Sequence, residues 1–253
     1  MHLNRITLHP EEYPTGEHYP FNLPLLRATP TVEFPTPVTF FVGENGTGKS
    51  TLLEAITLRC GIHIWREDHA PLQRNPFEGK LCNHLRVEWA NGSVPGSFFG
   101  SAIFSQFASL LDEWARSDPG QLKYLGGKSL VAQSHGQSLM SFFRSRYRIK
   151  GLYLLDEPET ALSPRTQLDL LRLLEEMSAA GHAQFILATH SPILLSCPGA
   201  TLYSFDQAPI APVRYEDTDH YRVYRDFVQQ REGCPAPDAC SNKPEGSGTH
   251  TEE

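Results

Sequence analysis

No stretch of this chain approaches the roughly 18 consecutive apolar residues that a membrane-crossing helix needs, and its start, MHLNRITLHP, has no apolar signal-peptide core. A cytoplasmic location is expected. No Cys-x-x-Cys pair occurs and the five cysteines are an odd number, so neither a disulfide framework nor a zinc site is expected. No heptad repeat appears, which argues against a tethering machine with long coiled-coil arms. Positive charge is also short: a formal net charge of -7 gives no whole-chain footprint for nucleic acid and leaves only a local basic patch open. What remains is globular material. With 40% hydrophobic and 20% charged residues, 253 residues suffice for one large α/β domain with a buried core. The ending GCPAPDACSNKPEGSGTHTEE, which holds Cys234 and Cys240, is polar and rich in Pro, Gly and Ser. It reads as a disordered tail over 233–253, leaving one folded domain over 1–232.

NRITL and PVTFFVG have the β-branched and aromatic content of strands, and the proline-dense EEYPTGEHYPFNLPLLRATP between them reads as an irregular connection. TLLEAITLRCG is spaced as a helix ending at Gly61. LRVEWANGSVPGSFF resembles a hairpin turning at Asn91-Gly92, the source of an expected small antiparallel β subdomain. FASLLDEWARS and SLMSFFRSRYR read as helices. GLYLLDEP and AQFILATHSP are short, nearly continuous apolar strands of the kind buried on both faces of a parallel sheet. Between them lies an amphipathic helix with Ser163 as N-cap, Pro164 in its first turn and Gly181 past its end. Alternating strands and helices predict an α/β fold with a mostly parallel central sheet flanked by helices.

Gly43, Glu44, Asn45, Gly46, Thr47, Gly48, Lys49 and Ser50 match G-x-x-x-x-G-K-[ST] in full, between a predicted strand and a predicted helix, with Thr51 following. The glycines let backbone N–H groups turn around phosphate oxygens while the helix directs its positive end at them. Lys49 supplies a charge for the β- and γ-phosphates, and the Ser50 hydroxyl can ligate Mg²⁺. Asp156 ends a buried strand, where a carboxylate is costly unless it faces a metal or ligand. It is the second candidate Mg²⁺ ligand. Glu157, next in the chain, is the candidate base for the attacking water. Asp-Glu-Pro alone also suits an ordinary strand exit.

SHGQSLMSFF, LDEPETALSP and ATHSP follow the phosphate loop in that order. Together they resemble the ATP-binding-cassette class of P-loop ATPases, nearest to stand-alone bacterial AAA-family ATPases of the RecF/SMC/OLD-like branch. The likeness runs from about residue 20 to about 228 and includes YEDTDHYRVYRDF. It implies a P-loop fold of ABC-ATPase type that binds ATP and Mg²⁺ and hydrolyses ATP, sandwiching the nucleotide between two copies. Ser134, Gly136 and Gln137 would then approach the γ-phosphate held by the partner. The residues also read as a plain helix cap, with Ser134 and Gln137 in capping-box spacing. His190 would sense the γ-phosphate; otherwise it is a structural histidine ending a core strand. Two departures stand out. The signature is S-H-G-Q rather than L-S-G-G-Q, and Gln106 is the best available candidate for the glutamine that touches the metal. Tyr19, Phe21 and Arg27 are each open as the residue stacking on adenine.

Arg144, Arg146, Arg148 and Lys150 cluster where they complement a helix C-terminus or meet a nucleic-acid backbone. The expected function is an ATPase that dimerises on ATP and drives movement in a partner. A nuclease or nucleic acid is expected ahead of a transporter membrane subunit. The alternatives are the ATP-binding subunit of a transporter and a slow nucleotide-gated switch.

Overall fold

The computed structural model describes residues 1–64, 75–100 and 135–232. Its larger sheet has six strands in the order β5 (Gly96–Gly100), β6 (Gly151–Asp156), β7 (Ala183–Ala188), β3 (Val38–Val42), β8 (Thr201–Ser204) and β9 (Ala211–Val213). The first five run parallel, and β9 returns antiparallel to β8. Strands β3 and β7 are buried at every position, which is why they read VTFFV and AQFILA without polar alternation.

Successive residues of these strands serve opposite faces. Phe40, Val42, Tyr153, Leu155, Phe185 and Leu187 join one core with helices α3 (His135–Arg146) and α4 (Pro164–Ala179). Phe41, Leu152, Leu154, Ile186 and Ala188 join a second core with helix α2 (Lys49–Arg59) and a three-stranded antiparallel sheet. That smaller sheet has the order β2 (Thr31–Glu33), β1 (Leu3–Leu8), β4 (Leu85–Trp89). In the first core Phe143 and Tyr147 stack with centroids 5.1 Å apart, and Tyr147 meets Phe185 edge-on at 5.0 Å. Helix α4 starts as its sequence predicts: the Thr166 amide donates to Ser163 Oγ at 3.3 Å, and Gly181 follows the end with φ +75°.

The buried Gln184 side chain ties one sheet to the other. Gln184 Oε1 accepts from the amides of His2 and Leu3, both at 2.8 Å, and Gln184 Nε2 donates to the Leu3 carbonyl at 2.9 Å. Three backbone groups of β1 and its approach thus find partners inside the core, where unpaired they would be costly.

The hairpin expected in LRVEWANGSVPGSFF is corrected. Strand β4 pairs antiparallel with β1, whereas β5 pairs parallel with β6 in the other sheet. The chain does bend at Gly92, with φ +83°, but the bend carries it from one sheet to the other. An Asn-Gly pair reports a local turn; strand partners are chosen by packing. Gly96 illustrates that choice. A Cβ there would lie 2.3 Å from the Leu152 carbonyl oxygen and 2.4 Å from Ile62 Cδ1, so glycine is what lets β5 close on β6. The connection over 11–30 is also less irregular than expected. It holds the short helix α1 (Pro24–Ala28) and leads straight into β2, a three-residue strand too short to show a period. Gln106, Ser134, the FASLLDEWARS segment, Cys234, Cys240 and the tail lie outside the described residues.

Candidate functional site at the sheet edge

Parallel strands end together, and ligands of open α/β sheets collect beyond their carboxyl ends. Here β3 leads into the phosphate loop, β6 ends at Asp156, β7 leads through Thr189 to His190, and β8 leads to Asp206. The edge therefore gathers Lys49, Ser50, Asp156, Glu157 and His190 from separate stretches of sequence.

The loop is shaped by its own backbone. Gly48 takes φ +100° as the residue before α2, and a Cβ there would lie 2.8 Å from Leu23 Cδ1. The loop tip, Glu44 to Gly46, is exposed. Thr47 Oγ1 donates to the Glu44 carbonyl at 2.9 Å, and the Glu44 amide donates to Asp206 Oδ1 at 2.8 Å. Lys49 is only 4% exposed and donates to the carbonyls of Gly43 at 2.6 Å and Glu44 at 2.8 Å. Burial holds its ammonium below the ordinary lysine value, against the opposing pull of Glu157, Asp206, Asp156 and Glu44.

Ser50 Oγ donates to Asp156 Oδ1 at 2.8 Å, joining the start of α2 to the end of β6. Burial pushes the Asp156 carboxyl up to about 6, and the Ser50 hydroxyl lowers it only in part. A hard divalent cation fits this pair: it prefers oxygen donors, and its charge supplies what the buried carboxylate lacks. These two residues could hold Mg²⁺.

Glu157 is the one non-glycine residue with positive φ (+46°) among the described residues. Its amide donates to the Ala188 carbonyl of β7 at 2.9 Å, which fixes the turn against the neighbouring strand. Glu157 Oε1 lies 3.7 Å from His190 Nε2. The His190 amide donates to Glu159 Oε1 at 2.6 Å, and its Nδ1 lies 3.0 Å from His220 Nε2 at the start of helix α6 (Asp219–Glu232), which follows the short helix α5 (Pro192–Leu195). His190 Nε2 is buried without a hydrogen-bond partner among the described residues. Burial first, then the charges of Lys49 and His220, hold the His190 imidazole below its ordinary value. Burial pushes the Glu159 carboxyl up.

Sequence reasoning missed Asp206, Glu159 and His220. Glu159 stands within LDEPETALSP and His220 within YEDTDHYRVYRDF, but only the fold shows which groups they touch. Of the three residues considered for adenine, Phe21 is wholly buried against Tyr13, Phe77 and His84 and has no face to offer. Arg27 is exposed beside Gly16. Tyr19 is 45% exposed, and its hydroxyl hydrogen-bonds that of Thr51 in a cleft shared with Ser50, Glu54 and Gly79.

Gly136 and Gln137 lie elsewhere. With Ser163, Thr166, Arg144 and Arg165 they line an open cleft that no residue of the phosphate loop reaches. A Cβ on Gly136 would lie 3.7 Å from Thr166, so the first turn of α3 packs against the start of α4. In the basic cluster, Arg146 is taken up by the Gly96 carbonyl at 3.1 Å, while Arg144, Arg148 and Lys150 are exposed.

Comparison with known proteins gives the class of the chain. Residues 138–196 match the model of the family described as "AAA domain, putative AbiEii toxin, Type IV TA system", and residues 25–63 match one described as "AAA domain". The thiamine import ATP-binding protein ThiQ of Ruegeria sp. (strain TM1040) is 30% identical over 164 residues, covering 60% of this chain and 69% of that protein. The manganese transport system ATP-binding protein MntA of Synechocystis sp. (strain ATCC 27184 / PCC 6803 / Kazusa) is 26% identical over 186 residues, covering 66% and 69%. Among solved structures, the ADP conformation of MJ1267, an ATP-binding cassette of an ABC transporter, superposes with a TM-score of 0.52 at 16% identity, covering 92% of this chain and 99% of that one. The chain belongs to the ATP-binding-cassette class of P-loop ATPases. It is an ATP-binding protein and an ATPase. Among the described residues no helix is long and apolar enough to cross a membrane.

Proposed function

We propose that the chain hydrolyses ATP as a closed pair of copies, each supplying half of two composite sites. The observation that carries this reading is the separation of the two surfaces. Lys49, Asp156, Glu157 and His190 share the sheet edge, whereas Gly136, Gln137 and Ser163 line a cleft with no phosphate-loop residue. A second copy would bring the cleft of one chain over the edge of the other.

Within one edge, Lys49 releases its two carbonyls to meet the β- and γ-phosphates, and loop amides and the start of α2 receive the phosphate oxygens. Ser50 and Asp156 would hold Mg²⁺, which would offset phosphate charge. Glu157 accepts a proton from the attacking water. His190 donates from Nε2 to a γ-phosphate oxygen. Tyr19 is the aromatic residue left to meet the base. Residues 1–232 act as one ATPase unit.

For the partner, a DNA- or nuclease-linked role is proposed first, supported by exposed Arg144 in the last turn of α3 and exposed Arg148 and Lys150 just past it. Relatives named for thiamine and manganese transport support a second reading, in which membrane subunits are the partner.

The test is the solution mass of Glu157→Gln with and without Mg-ATP. A rise from the 28.4 kDa chain to twice that mass is expected on adding nucleotide. A monomer at saturating ATP overturns the pairing. Duplex DNA added to the same sample separates the partner readings: binding that weakens steeply between about 50 and 200 mM salt supports the first.

A further inference from the structure

We infer that His220 is a positioning residue for ATP hydrolysis: by donating from its Nε2 to His190 Nδ1, it holds the proton of His190 on Nε2, where a γ-phosphate oxygen would be met. The inference rests on the reading of His190 given above. It starts from a contact between two histidines brought together from different elements, β7's exit and the first turn of α6, with ring centroids 5.2 Å apart and facing nitrogens at 3.0 Å.

Only one proton fits between two nitrogens, so the pair has two neutral arrangements. In the first, His190 Nδ1 donates and its Nε2 is a bare lone pair. In the second, His220 Nε2 donates and His190 Nε2 carries the hydrogen. Two features favour the second. His190 Nε2 lies 3.7 Å from Glu157 Oε1, and a carboxylate favours an N–H over a lone pair. The γ-phosphate offers acceptors alone, so a lone pair there would repel what the site is built to receive. His190 Nε2 is buried with no partner among the described residues, an N–H left for a ligand.

The surroundings keep both rings neutral. Burial holds both imidazoles below their ordinary value, most strongly of all the influences on each. Around His220 stand Asp206, Glu44 and Asp219, which favour its charged form, and Lys49, which opposes it. The His190 amide is already held by Glu159, so its backbone is fixed and only the ring's protonation pattern is left to set. His220 sets it.

The test is a set of variants assayed for ATP hydrolysis by the full chain. His220→Phe keeps a ring and loses the donor; His220→Gln loses the ring and keeps an N–H at the same reach. The Phe variant is expected to lose about tenfold in kcat, the worth of one hydrogen bond, with KM for ATP little changed. The Gln variant is expected to recover most of that loss. Nitrogen-15 spectra of the His190 ring should show Nε2 protonated in the parent and a mixture of tautomers in His220→Phe. A Phe variant at full rate, or a Gln variant no better than Phe, overturns the inference. His190→Ala is run beside them. Full turnover there overturns the reading of His190 and the inference with it, whereas loss there with an active His220→Phe overturns the inference alone.

Discussion

The sheet edge and the α3 cleft face different problems, and their side chains differ accordingly. At the edge Lys49 is held by two carbonyls, Ser50 by Asp156, and the Glu157 and His190 amides by neighbouring elements, while His190 Nε2 is left without a partner among the described residues. The cleft is lined by small and flexible residues around Gly136, with exposed Arg144 and Arg165 at its margin. A surface that must hold a charged substrate in fixed geometry is preorganised by hydrogen bonds. One that must accept another chain's ligand is left shallow. On the proposed pairing, the nucleotide is bound at the edge of one copy and completed by the cleft of the other.

The largest test of that division fills the cleft and leaves the edge alone. Gly136→Arg should lower turnover by roughly a hundredfold or more, as loss of transition-state donors does, with ATP binding by each chain intact. Gly136→Ala is its control, because the added methyl finds ordinary contact at 3.7 Å and should change little. Equal ATPase rates in the two variants would place the cleft outside the reaction. A smaller effect comes from the far end of the strands. Gln184→Leu leaves the His2 and Leu3 amides and the Leu3 carbonyl without partners in the core, and should cost about 3 kcal/mol of stability in a denaturant titration. ATP affinity per folded molecule should stay unchanged, since Gln184 is remote from the edge. The smallest effect is at the cleft margin: Ser163→Ala removes the cap of α4 and should cost about 1 kcal/mol. A turnover loss larger than that stability loss would give Ser163 a part in the contact between copies.

Sequence carried the local parts of this architecture well. The phosphate loop, the Asp156 strand end and the α4 cap are each written within a few consecutive residues, because each is a turn or terminus with its own chemistry. Strand β2 was hidden by its length, three residues between prolines. The separation of β4 from β5 was hidden by a genuine turn signal that says nothing of pairing. Asp206, His220 and Gln184 were illegible for a common reason. Their partners lie 162, 30 and up to 182 residues away, so no window of sequence contains both ends.

Gln184 has a further consequence for how the chain is made. On the ribosome the segment around Leu3 emerges well before the side chain that satisfies its backbone, which is synthesised about 180 residues later. Strand β1 can pair with β2 early, but it cannot be riveted to the large sheet until β7 is out and seated between β6 and β3. Contacts of such long sequence separation are slow to close. Strand β1 is therefore made early and is among the last parts of the fold to be finished.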